Sequence, residues 1–328
     1  MTSTPAISVI TPVWNGLPYI KETIDSVLAD EFQDWELLIG DNFSTDGTRE
    51  YLETLSDPRI HVFLYEKNFG VYYSIRFLWS KARAPIAFGL CADDYLYPGA
   101  LNKIITAWHN TSPETAYITY NWEHRMINFS RLTRYGYEAL PKTLKYPDSS
   151  LGFFLFGNIP GNFSEVCVKV GLVNASENFV DHMKYSGDYE FWARLAKTNT
   201  VILSNEKVVY IRRHDKVAAT FLNTKGEWFE DTLPVYEKLI DDLSPFYDRK
   251  KLITYYNIET RSFQLREALV AMLKGKFANF KAFMNSKSSI FWPKWVQLIV
   301  LLPFALYEGG RLRTSVILAR NIVEHRKK

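Results

Sequence analysis

ISVITPV at residues 7–13 and WELLIGD at residues 35–41 are short, continuous apolar runs rich in β-branched and large aliphatic side chains. Runs of that length bounded by turn residues read as strands buried on both faces. The first ends in the turn Trp14-Asn15-Gly16, after which Ile20, Ile24, Val27 and Leu28 recur at helical spacing. The second ends in Asp41 and the turn sequence STDGT, with a short helix predicted over Arg49 to Leu55. The unit then repeats. A third strand is predicted at Ile60 to Tyr65, a helix through Ile75 to Ala82, and a fourth strand at Pro85 to Cys91. Strands alternating with helices over short connections predict an α/β fold whose sheet is mostly parallel and covered on both faces. Ligands of such sheets bind beyond the carboxyl ends of the strands. Asp41 and the pair Asp93-Asp94 stand at those ends.

Further along, residues 110–164 loosen into aromatic, Asn- and Gly-rich sequence, and GDYEFWARLA at 187–196 opens another helix. From Lys225 the chain reads as helical, first over Trp228 to Leu243 and then over Tyr255 to Met284. The expected division is an α/β unit at 1–220 and a helical region at 221–328. With 47% hydrophobic and 23% charged residues, disorder is excluded for the bulk of the chain. Cys91 and Cys167 lack metal-type or disulfide-framework spacing, and a reducing, cytoplasmic setting is expected. Thr11 and Pro12 break the first apolar run, and no basic leader precedes it, so it reads as a strand rather than a secretory signal. The net charge of +3, without a Lys/Arg stripe in the first two hundred residues, argues against nucleic-acid binding. That small value hides an asymmetry. Residues 249–328 hold 16 basic and 4 acidic side chains, a net +12, which leaves −9 for residues 1–248.

Six short motifs carry a resemblance. PVWN (12–15), DNFSTDGT (41–48), KNFG (67–70), CADDYLYP (91–98), GDYEFWARL (187–195) and IRRH (211–214) occur in that order. Together they resemble the inverting glycosyltransferases of family 2, which have the GT-A nucleotide-diphospho-sugar-binding fold, Rossmann-like with a mostly parallel sheet. The resemblance covers roughly residues 6–220, with residues 221–328 as a C-terminal helical extension. It implies nucleotide binding by Pro12, Trp14, Asp41, Asn42, Asn68, Gly70 and Asp93. Asp41 would accept the imide hydrogen of a uracil or thymine base. Asp93 and Asp94, with His214, would approach a divalent cation, and Arg212 and His214 the diphosphate. Asp188 would be the catalytic base. Cys91 stands where the family has an aspartate near the ribose, which leaves that contact to the Ala92 backbone or to water. The loop GNIPGNFSE (157–165) falls where the family places its acceptor, and its Gly/Asn character suits a neutral hydroxyl compound.

The chemistry asks for these residue types on its own account. A departing nucleoside diphosphate needs its charge neutralised, and carboxylates at a strand end suit Mn²⁺ or Mg²⁺. A carboxylate is also needed to take the proton of the attacking hydroxyl. The plain alternatives are helix capping for Asp93-Asp94 and for Asp188, and a solvated turn for Asp41. A nicotinamide oxidoreductase is excluded because no G-x-G-x-x-G follows the first strand. A catalytically silent sugar-nucleotide-binding or scaffold protein is the rival from another class, with Cys91 as its support.

In the tail, FWPKWVQLIVLLPFALY (291–307) contains an uncharged run of 13 residues, Trp295 to Tyr307, broken by Pro303. That is short of the ~20 residues a spanning helix needs. A basic segment lying in an anionic membrane interface fits it, and a buried helix or a homo-oligomer surface is the competing reading. The expectation is an enzyme at the cytoplasmic face of the membrane, transferring a sugar from a UDP- or dTDP-sugar to a saccharide or polyprenyl-linked saccharide during surface-polysaccharide assembly.

Overall fold

The computed structural model describes residues 4–121, 142–180, 183, 185–213 and 228–327. Its centre is an eight-stranded sheet in the order β3-β2-β1-β4-β8-β6-β9-β7. Strands β1 (Ile7–Val13), β2 (Trp35–Asp41), β3 (Ile60–Leu64) and β4 (Ile86–Gly89) are mutually parallel. They are connected through α1 (Tyr19–Leu28), α2 (Thr48–Glu53) and α3 (Val71–Lys81). The register pairs Ile7 with Trp35 and Val13 with Asp41, so both strands end at one level. After β4 come the two-residue strand β5 (Tyr95–Leu96), α4 (Ala100–His109) and β6 (Thr115–Thr119). The chain continues through β7 (Thr143–Leu144), α5 (Asp148–Phe156), β8 (Val166–Lys169) and α6 (Val170–Ala175). It closes the α/β part with α7 (Gly187–Thr198), β9 (Thr200–Leu203) and β10 (Val209–Tyr210).

The sheet is mixed beyond β4. Strand β8 runs antiparallel to both β4 and β6, β9 is parallel to β6, and β7 is an antiparallel edge. The sequence reading missed β6 and α5, which lie in the loosened stretch, and the four-residue β8 just after it. Thr115–Thr119 is wholly buried, yet five residues with two threonines carry little periodic signal. Strand β10 pairs with β5 as a separate ribbon, joining Tyr210 to Tyr95.

Alternation along β1 sends Ile7, Val9 and Val13 to one face and Ile10 to the other, which builds two cores. The first face packs on α1 and α4 through Ile20, Ile24, Val27, Leu101 and Ile104. The second packs on α3, α5 and α7. There Trp79 is fully buried, with ring centroids 5.9 Å from Phe179 and 5.7 Å from Phe191. At the amino end of the strands, buried Glu36 accepts from Ser8 Oγ (2.6 Å), Arg83 Nε (2.6 Å) and Arg83 N (2.7 Å). Burial raises its pKa, and these hydrogen bonds outweigh that and hold it below the usual range.

The C-terminal helices are α8 (Trp228–Leu243), α9 (Arg249–Tyr256), α10 (Ser262–Leu273), α11 (Phe277–Asn285), α12 (Lys294–Leu306) and α13 (Glu308–Glu324). The single helix expected from Tyr255 to Met284 is broken twice. Asn257–Arg261 is a π-helical turn between α9 and α10, and Gly275, at φ 78°, ends α10 in a backbone shape glycine adopts without strain. Pro303 does not interrupt its segment, because α12 runs through it. The expected boundary at 220/221 lies outside the described residues. Among the described residues no helix is long and apolar enough to cross a membrane.

Candidate active site

The loops after β1 and β2 are laced together. Asn15 N donates to Ser44 Oγ (2.8 Å), and Asn15 Oδ1 accepts from Thr45 N (2.8 Å). Thr48 Oγ1 accepts from Gly16 N (2.9 Å), and Asp46 Oδ2 from Leu17 N (3.1 Å). Asp41 is fully buried at the base of this crossing, where both carboxylate oxygens lie 3.3 Å from Ser44 N and Arg49 Nε is 3.8 Å from Oδ2. Pro12 lies in β1 beside Gly40. Trp14, just after β1, is 59% exposed, and Phe43 on the laced loop is exposed as well. Asn42 and Asn68 are engaged with each other: Asn42 Nδ2 donates to Asn68 Oδ1 (2.9 Å), while Asn42 Oδ1 accepts from Phe69 N (2.8 Å). Asn68 Oδ1 also accepts from Gly70 N (2.9 Å), so this pair shapes the turn into α3.

Beyond β4, one ligand atom from each of Cys91, Asp93 and Asp94 lies within 4.8 Å of the others, the group of that composition found among the described residues. Asp94 is buried, its Oδ2 accepting from Ser164 Oγ (2.6 Å) and its Oδ1 from Arg212 N (2.9 Å). Burial pushes its carboxyl up to about 6; the nearby charges of Asp93 and Glu165 add to the rise, and the two hydrogen bonds oppose it. Burial, with Asp94 and Asp93 beside it, also pushes the Cys91 thiol up. Arg212 Nε donates to the Asp93 carbonyl (2.9 Å), and its guanidinium pairs with Glu22 between the rings of Tyr19 and Tyr95. Arg212 is therefore already tied to the Asp93-Asp94 turn and to α1. His214 lies outside the described residues.

Asp188 sits in the first turn of α7, one residue past Gly187, and Ser186 takes the cap position. Ser186 makes no side-chain cap bond there, and the first-turn N–H of Tyr189 is taken by Asp188 itself. Its Oδ2 accepts from Asn158 Nδ2 (2.8 Å), its Oδ1 from Tyr189 N (2.8 Å), and its backbone N donates to Tyr72 Oη (3.3 Å). Burial raises its pKa, and the hydrogen bonds from Tyr189 and Asn158 oppose that. The opposite end of the Asn158 amide is a buried oxygen with no hydrogen-bond partner.

One loop connects the two acidic positions. Residues 157–165 place Asn158 on Asp188, and Ser164 on both Asp94 and the backbone N of Cys91 (2.7 Å). The loop crosses β4 so closely that a Cβ at Gly89 would collide with the Phe163 carbonyl. Asn158, Ser164, Glu22 and Tyr72 escaped the sequence reading. For Asn158 and Ser164 a partial signal existed, since the loop's repeated Gly-Asn steps, at 157–158 and 161–162, set it apart. Oxygen donors at a strand end are the set a hard divalent cation takes, so Asp93 and Asp94 fit such an ion.

Residues 8–163 match the family model described as glycosyl transferase family 2. They form a family 2 glycosyltransferase domain on a GT-A fold, with Asp188 and Arg212 beyond the matched segment. Over 101 residues the chain is 39% identical to the putative teichuronic acid biosynthesis glycosyltransferase TuaG of Bacillus subtilis, a match spanning 30% of this chain and 40% of that one. The S. aureus TarS fragment 1-349, solved in complex with UDP-GlcNAc, superposes with a TM-score of 0.58 at 14% identity, over 96% of this chain and 91% of that one. The mannosyltransferase PcManGT of Pyrobaculum calidifontis, solved with GDP-Man and Mn²⁺, gives 0.58 at 16% identity, over 98% and 87%.

Proposed function

We propose that this protein is an inverting glycosyltransferase that moves a sugar from a UDP- or dTDP-sugar to a hydroxyl of a saccharide or lipid-linked saccharide in the assembly of a surface polysaccharide such as an O-antigen or capsule. The observation that carries the reading is the 157–165 loop, which ties Asp188 and Asp94 into one framework beside the carboxyl ends of β1, β2 and β4. Buried Asp41 supports a base with an imide hydrogen, because an ionised carboxylate accepts and cannot donate. Trp14 offers its exposed ring to that base, and Asn42, Asn68 and Gly70 shape the rim. The similarity to a putative teichuronic acid biosynthesis enzyme supports a polysaccharide setting.

Mn²⁺ or Mg²⁺ held by Asp93, with Asp94 beside it, would neutralise the leaving diphosphate. Arg212 holds the Asp93-Asp94 turn in place and adds positive charge on the diphosphate side. Asp188, oriented by Asn158, takes the proton of the acceptor hydroxyl as that oxygen attacks the anomeric carbon from the face opposite the leaving group. Asp188 is half-buried beside Tyr72 and the 157–165 loop, and that burial makes it more basic than a solvated aspartate. The site is expected to work at the inner face of the membrane, where lipid-linked acceptors are built.

A thermal-shift screen of nucleotide sugars with Mn²⁺ tests this. A ligand at a hundred times its Kd stabilises the native state by about 2.7 kcal/mol, and the expected hits are UDP- or dTDP-sugars, with the shift lost in chelator. A product carrying the donor's anomeric configuration would overturn inversion. Binding without turnover on any saccharide acceptor would favour the silent binding protein.

A further inference from the structure

We infer that the outer face of α12, with the adjoining ends of α10 and α11, is a docking surface for an anionic lipid bilayer. The helix departs from an ordinary surface helix in being apolar on its outward side as well as its inward one. Its inward positions are Gln297, Leu301 and Ala305, and Gln297 Oε1 accepts from buried Arg261 Nε at 2.9 Å. Its outward positions are apolar. Trp295 is 69% exposed and Leu306 72%, with Ile299 and Leu302 between them at steps of four, three and four residues. A soluble monomer rarely leaves so continuous an apolar row in water.

Packing places further apolar side chains at one end of that row. Arg261 meets Gln297, and Ile258, Leu265 and Ala268 share a core with Leu301 and Ala305, so α10 and α12 run in the same direction. Leu273, 84% exposed at the end of α10, and Phe277 at the start of α11 therefore lie at the Leu306 end. Between Glu267 and Glu308 the chain carries only positive charge. From Ala268 to Tyr307 there are five lysines, at 274, 276, 281, 287 and 294, and no acidic residue. Lys274 and Lys276 lie in the turn between Leu273 and Phe277. An apolar stripe rimmed by lysines complements acyl chains below an anionic headgroup layer. At 13 residues, α12 is about 20 Å long, which suits lying in the interface and not crossing it.

The test uses the full chain and vesicles of phosphatidylglycerol with phosphatidylethanolamine, and of phosphatidylcholine alone, without donor or acceptor. A failure here therefore leaves the transfer reading untouched. Wild type is expected to co-float with the anionic vesicles, with high salt weakening but not abolishing binding. The double variant Ile299→Asp/Leu306→Asp, whose side chains already face solvent, is expected to keep its melting temperature and lose binding at all salt concentrations. Lys274→Gln/Lys276→Gln is expected to weaken anionic-vesicle binding by about tenfold or more and to flatten its salt dependence. Wild type that ignores anionic vesicles, or an aspartate variant that binds like wild type, would overturn the proposal. So would a lipid-free dimer dissolved by the aspartate substitutions, which would assign the face to a second copy of the chain.

Discussion

Asp188 is held by two donors of different kinds, and each makes a different variant informative. Asp188→Asn keeps the size of the side chain and removes the proton acceptor, so turnover should fall by ~10² to 10⁴ while calorimetric affinity for the nucleotide stays near wild type. Asn158→Ala leaves the carboxylate in place and removes one hydrogen bond that lowers its pKa. The acid limb of the kcat profile should then move to higher pH, with nucleotide affinity unchanged; an unmoved limb would separate Asn158 from the base. Asp94 gives a second pH effect with its own sign. Its folded-state value of about 6 lies above the ordinary 3.8, so the native state holds the proton more tightly than the unfolded chain. Ionising Asp94 therefore costs stability progressively as the pH rises from about 4 to about 6. Asp94→Asn should flatten that part of the stability-versus-pH curve in chelator, and an unchanged slope would show that Asp94 is already ionised there. Of these residues, Asp188 and Asp94 were visible in the sequence as motif carboxylates. Asn158 and Ser164 were marked only as members of a Gly/Asn-rich loop, because their roles come from a crossing over β4 that no local pattern encodes.

Among the elements, the C-terminal bundle is tied together by a buried cation, Arg261. Arg261, in the π-helical turn, donates to Gln297 of α12, Gln264 of α10, and the Phe283 carbonyl and Ser286 Oγ at the end of α11. Its guanidinium lies 3.7 Å from the Phe283 ring centroid and 4.1 Å from that of Phe291. Burial lowers its pKa to about 10, so it remains charged at neutral pH with neutral partners. Arg261→Met would strand several buried polar groups at about 1 to 3 kcal/mol each and should lower the melting temperature sharply. Arg261→Lys should not rescue it, since an ammonium cannot match the planar fork stacked between two rings. A lysine variant as stable as wild type would show that charge alone suffices. The element boundaries in this region were the least legible in the sequence. A continuous helical period from Tyr255 to Met284 conceals the π turn, from which Arg261 reaches three helices.

At the level of the whole molecule, the tail and the α/β part share a core. Val235, Leu239, Tyr255 and Tyr256 of α8 and α9, and Ala319 and Ile322 of α13, pack with Phe153, Phe154 and Phe191. Thermal unfolding followed by far-ultraviolet circular dichroism and by tryptophan fluorescence should thus give coincident transitions, and early separate melting of the tail would show that the shared core contributes little. The sequence by itself determined the parallel half of the sheet, the helices that cover it, and the acidic residues at the strand ends. Those features follow from local periodicity and from where an apolar run stops. It also marked the apolar, basic tail segment, but not which way that segment faces. Tertiary structure alone decided that the 157–165 loop joins Asp94 to Asp188, that Arg212 is committed to Glu22 and the Asp93 carbonyl, and that α12 leaves a row of apolar side chains facing outward. Each of these is a contact between residues far apart in the chain, created by packing, and short-range sequence pattern carries no information about such pairs.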